Sequence, residues 1–177
     1  MKTLITVLTA VLSVFYFSVH NSFAEVAIMA KSKIKNSSGD IVGLATFVQT
    51  SEGVSIAVQV RSLTPGLHGI HIHDTGTCNK PDFKSAGGHF NPYSMNHGLK
   101  NPKGYHVGDL GNIYVKQDGT GSLQTVSNLS TLQSGINSLF KENGTSLVIH
   151  SGPDDLISDP SGNAGKRVAC GVIKKLK

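Results

Sequence analysis

The 177-residue chain has no tryptophan, only two cysteines and six prolines, and 15% of its residues are charged. Few Lys, Arg and Glu leave little material for long solvent-exposed helices, whereas 20 glycines suit many short strands joined by turns. The sequence also lacks a basic run beyond Lys174, Lys175 and Lys177, its 16 basic and 11 acidic residues being scattered. That scatter argues against a nucleic-acid partner, which needs charge gathered on one face, and leaves a mild preference for small anions. Internal repeats and linker-like stretches are absent as well. With 38% hydrophobic residues and a mean hydropathy of −0.04, the composition is that of one compact domain and not of a disordered tail or a coiled coil.

Only one long apolar run occurs, and it sits at the N-terminus. Met1 and Lys2 precede the stretch Leu4 to Val19, followed by Ser22-Phe23-Ala24. A charged start, an apolar middle and a small-x-Ala end predict a signal peptide, residues 1–24, cleaved after Ala24. A membrane anchor is the alternative, disfavoured because the run is short and interrupted by Thr and Ser. No Cys near the cut offers a lipid attachment point. The remaining domain is residues 25–177, exported to the periplasm or secreted, with no stable membrane association expected. In an oxidising compartment the one cysteine pair, Cys78 and Cys170, is expected to form a disulfide in preference to two buried thiols.

Strand-like segments follow in quick succession at Val26–Ile34, Ile41–Val48, Val54–Val60, Ile113–Lys116 and Ser122–Val126. Turn residues separate them at Asn36-Ser37-Ser38-Gly39, Ser51-Glu52-Gly53 and Asp118-Gly119. This spacing predicts an all-β, antiparallel sandwich or barrel. Leu132–Phe140 fits a strand or a short helix, and periodicity does not decide between them. Two stretches break the rhythm: Asp74–Gly108, which is rich in Gly and Pro and contains no clear strand, and Gly152–Gly165. Structureless loops of such length inside a domain are usually functional or pinned.

Eight histidines occur, and His20 leaves with the signal peptide. Six of the other seven lie between His68 and His106. In a strand, His71 and His73 project from one face while Ile70 and Ile72 face the other way. His89, His97, His106 and Asp109 lie in or just after the long loop and form a His3Asp set suited to zinc. His150 closes the apolar run Leu147-Val148-Ile149 and adds a ligand if the fold brings it to His71 and His73. A lone loop histidine is ordinarily just solvated. Six clustered imidazoles are poor core filler and poor surface charge, so a metal centre is the expected use. An all-nitrogen set suits copper or zinc, and a carboxylate beside three imidazoles suits zinc.

The blocks His68-Gly69-Ile70-His71-Ile72-His73, Gly87-Gly88-His89-Phe90-Asn91-Pro92, His106-Val107-Gly108-Asp109-Leu110-Gly111-Asn112, Leu147-Val148-Ile149-His150 and Gly162 to Val172, in this order, resemble the copper/zinc superoxide dismutases. The resemblance implies a Greek-key, Ig-like barrel of about eight strands with two long functional loops. It also implies one copper and one zinc per subunit. By position it makes His71, His73, His89 and His150 copper ligands and His89, His97, His106 and Asp109 zinc ligands, with His89 bridging. It further makes Asp154 the acidic residue linking a copper ligand to a zinc ligand, Cys78–Cys170 the loop-to-barrel disulfide, Arg167 the catalytic arginine and His68 a structural hydrogen-bonding residue. Superoxide is the implied substrate and a homodimer the implied assembly. The second loop departs from the pattern: it looks shorter than in cytosolic eukaryotic relatives and lacks their lysine-bearing guide segment, leaving Lys166 as a steering candidate. That shortness favours a bacterial type, in which the Asn-x-Ser/Thr triplets at Asn36, Asn128 and Asn143 carry no meaning. Two other readings share these residues. A non-catalytic copper-delivery module would show lost copper ligands, and a zinc-only structural protein would have no use for His71, His73 and His150.

Overall fold

A computed structural model describes residues 27–176. Among the described residues nine strands run in chain order: β1 (Met29–Asn36), β2 (Ile41–Thr50), β3 (Gly53–Val60), β4 (Gly66–His73), β5 (Asp109–Val115), β6 (Gly121–Ser127), β7 (Ser146–His150), β8 (Arg167–Val172) and the two-residue β9 (Lys174–Lys175). The strands are hydrogen-bonded in the order β2-β3-β6-β5-β4-β7-β8-β1-β9, and a β1–β2 pairing closes the sheet. The result is an eight-stranded antiparallel barrel with β9 laid against β1. Closure removes the free edges that an open sheet would expose. The consecutive strands β4, β5 and β6, with β7 returning beside β4, give the Greek-key order 7-4-5-6.

Alternation explains why these segments are strands. Along β1, Ala30, Ser32 and Ile34 point inward while Lys31, Lys33 and Lys35 face solvent; along β3, Val54, Ile56, Val58 and Val60 enter the core. Strands β4 and β7 differ, being buried on both faces. Ile70, Ile72, Leu147 and Ile149 fill the barrel, and the opposite face lies beneath the two long loops. Under the first loop Phe83, Ala86 and Val148 pack against the Cys78–Cys170 disulfide as a second small apolar cluster.

The predicted strands recur with shifted ends. The first occupies Met29–Asn36 instead of Val26–Ile34, Val26 lying outside the described residues, and the strand expected at Ile113–Lys116 is β5, which begins at Asp109, four residues before Ile113. Leu132–Phe140 is neither strand nor helix. Leu132 and Leu139 plug the core from an irregular segment held by one Thr131–Ser138 bridge and by the Gln49 side chain, which accepts from Leu132 N at 2.7 Å. Two core-seeking leucines seven residues apart fix where the chain touches the barrel but not its path between. The signal-peptide assignment lies outside the described residues.

Candidate metal centre

The long loop 74–108 contains only one 3-10 turn, Lys84–Ala86, yet it is pinned along its length. Phe90 N donates to Ile72 O, Ile72 N to Gly108 O and Gly108 N to Phe90 O, at 2.8 to 2.9 Å, so the loop returns to β4 as a ribbon. A Cβ at 108 would overlap the Ile72 carbonyl oxygen, and only glycine permits this approach. The disulfide ties Cys78 to β8 across 92 residues. Strand pairing places His71 opposite Val148 and His73 opposite Ser146, so His150 belongs to the same outer face of neighbouring β7. The pinned ribbon lays His89 directly beside His73 as an isolated bridge partner.

Two four-donor groups result. Nitrogens of His71, His73, His89 and His150 lie within 4.8 Å of one another, as do ligand atoms of His89, His97, His106 and Asp109; His89 belongs to both. The hydrogen bonds decide which ring atom each histidine offers. His71 Nε2 donates to Asp154 Oδ2 at 2.8 Å, His73 Nδ1 to Gly87 O at 2.9 Å and His150 Nδ1 to Gly165 O at 3.1 Å. Each of these three rings therefore turns its other nitrogen toward the group, and His73 Nε2 and His150 Nε2 stand 3.4 Å apart. His89 faces Asp109 through Nδ1, at 2.9 Å, and presents Nε2 on its other side.

In the second group Asp109 is the hub. Its Oδ2 accepts from Gly98 N at 2.8 Å and His106 N at 3.1 Å, which leaves Oδ1 facing the Nδ1 atoms of His89, His97 and His106 at 2.9 to 3.3 Å. Asp154 joins the groups, its Oδ1 accepting from His97 Nε2 at 3.0 Å while Oδ2 holds His71. Gly162, at φ 63°, lets the second loop close over that carboxylate, since a Cβ there would overlap Asp154 and His97.

The buried nitrogens His71 Nδ1 and His89 Nε2 have no hydrogen-bond partner. An orphaned buried nitrogen is costly unless something accepts its lone pair, and both belong to the all-histidine group. This donor chemistry fits a transition-metal ion there and a second ion among three imidazoles and a carboxylate. Charge states agree at the all-histidine group. Burial first, then neighbouring imidazoles, lower His71 to about 3 and His150 to about 4 against hydrogen bonds that raise them, and His73 moves the same way. These rings stay neutral, as ligands must. At His97 burial also pushes down, but hydrogen bonds to Asp109 and Asp154 win and raise it to about 9. Asp109 and Asp154 are held far below the usual carboxylate range by the histidines around them, against the opposing effect of burial.

Arg167, half-buried at the start of β8, pairs with His150 in the sheet register. Its Nη1 donates to Phe83 O at 2.7 Å and its Nη2 to Gly87 O at 2.6 Å, sharing that second carbonyl with His73. His68 lies apart from the cluster, with Nδ1 against His150 O at 2.6 Å and Nε2 against Thr64 O at 2.8 Å. Lys166 is exposed beside Arg167. Two positioning residues escaped the sequence reading. Asn112 clamps Asp154 from β5, donating to its carbonyl at 2.9 Å and accepting from its N–H at 2.8 Å; an asparagine within a strand, where it is unfavourable, was the available signal. Asp159 accepts from His97 N at 2.5 Å, and nothing in its neighbourhood marks it.

A closed antiparallel barrel that carries two four-donor groups joined by one imidazole on its outer wall defines a class: β-barrel metalloproteins with a paired metal centre. The profile described as copper/zinc superoxide dismutase (SODC) matches residues 41–173. A curated Aquifex aeolicus protein named superoxide dismutase [Cu-Zn] 2 is 51% identical over 82% of this chain and 86% of its own length. One from Caulobacter vibrioides, superoxide dismutase [Cu-Zn], is 40% identical over 82% and 85%. The crystal structure of a SOD-like protein from Bacillus subtilis superposes with a TM-score of 0.77 at 37% identity, covering 80% of this chain and 96% of that one. The chain belongs to the copper/zinc superoxide dismutase family.

Proposed function

We propose that the protein converts two superoxide ions and two protons into O2 and H2O2. In this reading one copper per subunit is held by His71, His73, His89 and His150, and one zinc by His89, His97, His106 and Asp109, with His89 shared. What supports it most is the division of ring nitrogens: each copper-side imidazole has one nitrogen engaged by the protein and the other aimed at its neighbours. Bound there, copper supplies the one-electron couple for both halves of the reaction, and zinc supplies a charge that does not change.

The chain's residues do the rest. Asp154 fixes the tautomers of His71 and His97 through their Nε2–H groups, so both rings offer Nδ1. His89 is anchored at Nδ1 and turns Nε2, which has no protein partner, toward the copper-side group, so that nitrogen would take up a proton only while it is not bound to metal and could then pass it to reduced oxygen. Arg167 spends one N–H on each of two loop carbonyls and keeps the others for an incoming anion. Lys166 adds positive charge at the rim in place of a lysine-bearing guide segment.

The same proposal includes a signal peptide at residues 1–24, a mature domain at 25–177, a homodimer, and a protective role in the periplasm or outside the cell. The Cys78–Cys170 disulfide supports an oxidising compartment. Among the described residues no helix is long and apolar enough to cross a membrane. Metal analysis and catalysed superoxide decay of the mature protein test the reading. One copper and one zinc per subunit with rapid decay are expected, His150→Ala losing copper and activity while keeping zinc. A fully loaded protein that, with a chelator holding any free copper, leaves superoxide decay at its uncatalysed rate would refute it.

A further inference from the structure

A cleft of about 710 Å³ opens beside the Cys78–Cys170 disulfide, away from the histidine cluster, none of whose residues line it. Its walls come from β1, the turn at Ser38 and Gly39, the segment carrying Lys80 and Phe83, and the β8–β9 end. Among the described residues five lysines surround it, Lys31, Lys33, Lys35, Lys80 and Lys174, and no acidic side chain lines it. Among the described residues none of the five makes an ion pair; the lysine ion pairs are Lys84–Asp82 and Lys141–Asp74.

The clustering is built into the strands. Period two puts Lys31, Lys33 and Lys35 on one face of β1 over roughly 13 Å. Lys31 is also the direct antiparallel partner of Lys174, and like charges directly opposite each other destabilise a sheet. The ladder keeps pairs at Lys35–Cys170 and Lys31–Lys174 but none between, and the cleft opens beside this gap, where Gly171 and Val172 line it. Lys80 is fixed at the rim by donating to Ser38 O at 3.0 Å, and the disulfide holds its segment to β8. The result is a cationic pocket of ligand size on a strand framework, without an acidic partner among the described residues.

We propose that this cleft binds a small soluble anion carrying two or more phosphate groups. Five charges exceed what a single monoanion neutralises. The walls offer ammonium point charges, which bind phosphate oxygens without needing a planar, bidentate geometry. The limited size of this half-open cleft favours a compact oligophosphate over a polymer, which would need a long stripe.

Calorimetric titration of the copper- and zinc-loaded mature protein with tripolyphosphate tests this, with sulfate and phosphatidylglycerol vesicles as comparison arms. Expected are one saturable site, at least tenfold tighter binding than sulfate, and weakening as salt rises. The double variant Lys33→Gln/Lys174→Gln should lose at least tenfold in affinity. Lys116→Gln removes a charge at the end of β5, four strands round the barrel, and should lose less than twofold. Thermal melting of Lys174→Gln without ligand should occur at or above the parent temperature, since a like-charge pair is relieved. Equal losses in the two charge variants would reduce the effect to net charge. Binding to vesicles alone, or no saturable binding of tripolyphosphate, would overturn the proposal.

Discussion

Asp154 holds two rings with one carboxylate, each oxygen accepting one imidazole N–H. An amide has only one accepting oxygen, so Asp154→Asn leaves His71 or His97 facing a second donor and free to turn. Metal affinity should fall about tenfold to a hundredfold, as is typical when a group orienting a ligand is lost; competition against a chelator measures it, and unchanged affinities would count against the role. Arg167 is built differently. Its guanidinium is partly desolvated yet remains charged, and its two loop carbonyls aim it. Arg167→Ala should lower kcat/KM by about tenfold or more and flatten its dependence on ionic strength, because steering of an anion weakens with salt. Initial rates across a salt series decide the matter, and a profile parallel to the parent would place Arg167 outside the site. The sequence exposed both residues only through resemblance, since neither a loop aspartate nor a loop arginine has a periodicity of its own.

Strand β4 and the ribbon 87–90 show what an element contributes. The sequence makes β4 legible through His71-Ile72-His73, and the apolar partners do enter the barrel while the histidines face outward. It does not reveal that a 35-residue stretch without strands comes back to pair with β4, because those hydrogen bonds depend on Gly108 meeting Ile72 at close range. The disulfide is the other clamp. Cys170→Ser frees a loop closed over 92 residues and should destabilise the protein by about 4 to 5 kcal/mol in the chain-entropy account. It also loosens the segment whose Phe83 carbonyl holds Arg167, so denaturant unfolding and kcat/KM should both decline. Lost stability with full kcat/KM would mean that the clamp does not reach the arginine.

The whole molecule without metal carries opposed proton linkages. His71 and His150 titrate at about 3 and about 4 when folded against 6.5 as free side chains, so the unfolded chain binds more protons and stability falls as pH drops below 6.5. His97, raised to about 9, contributes fully below 6.5 and loses that contribution as pH climbs toward 9. Melting temperatures of the metal-free protein should therefore peak near pH 6.5, with an alkaline decline that His97→Gln abolishes. A melting temperature that keeps rising from pH 6.5 to 9 would contradict the two-carboxylate environment of His97. Metal loading should remove the alkaline decline, since a ligated His97 carries no extra proton, and steepen the acid one, since the unfolded chain takes up protons that ligated nitrogens cannot.

Alternation, turn residues and the crowding of histidines made the all-β class, most strands and the ligand types readable from the chain alone, because these signals are local and periodic. The closure of β1 onto β2, the path of Leu132–Phe140, the clamp of Asn112 on Asp154 and the choice of ring nitrogen at each histidine came only with the tertiary structure. Each depends on which groups far apart in sequence come within about 3 Å, and a hydrogen bond formed on that scale leaves no trace in residue order.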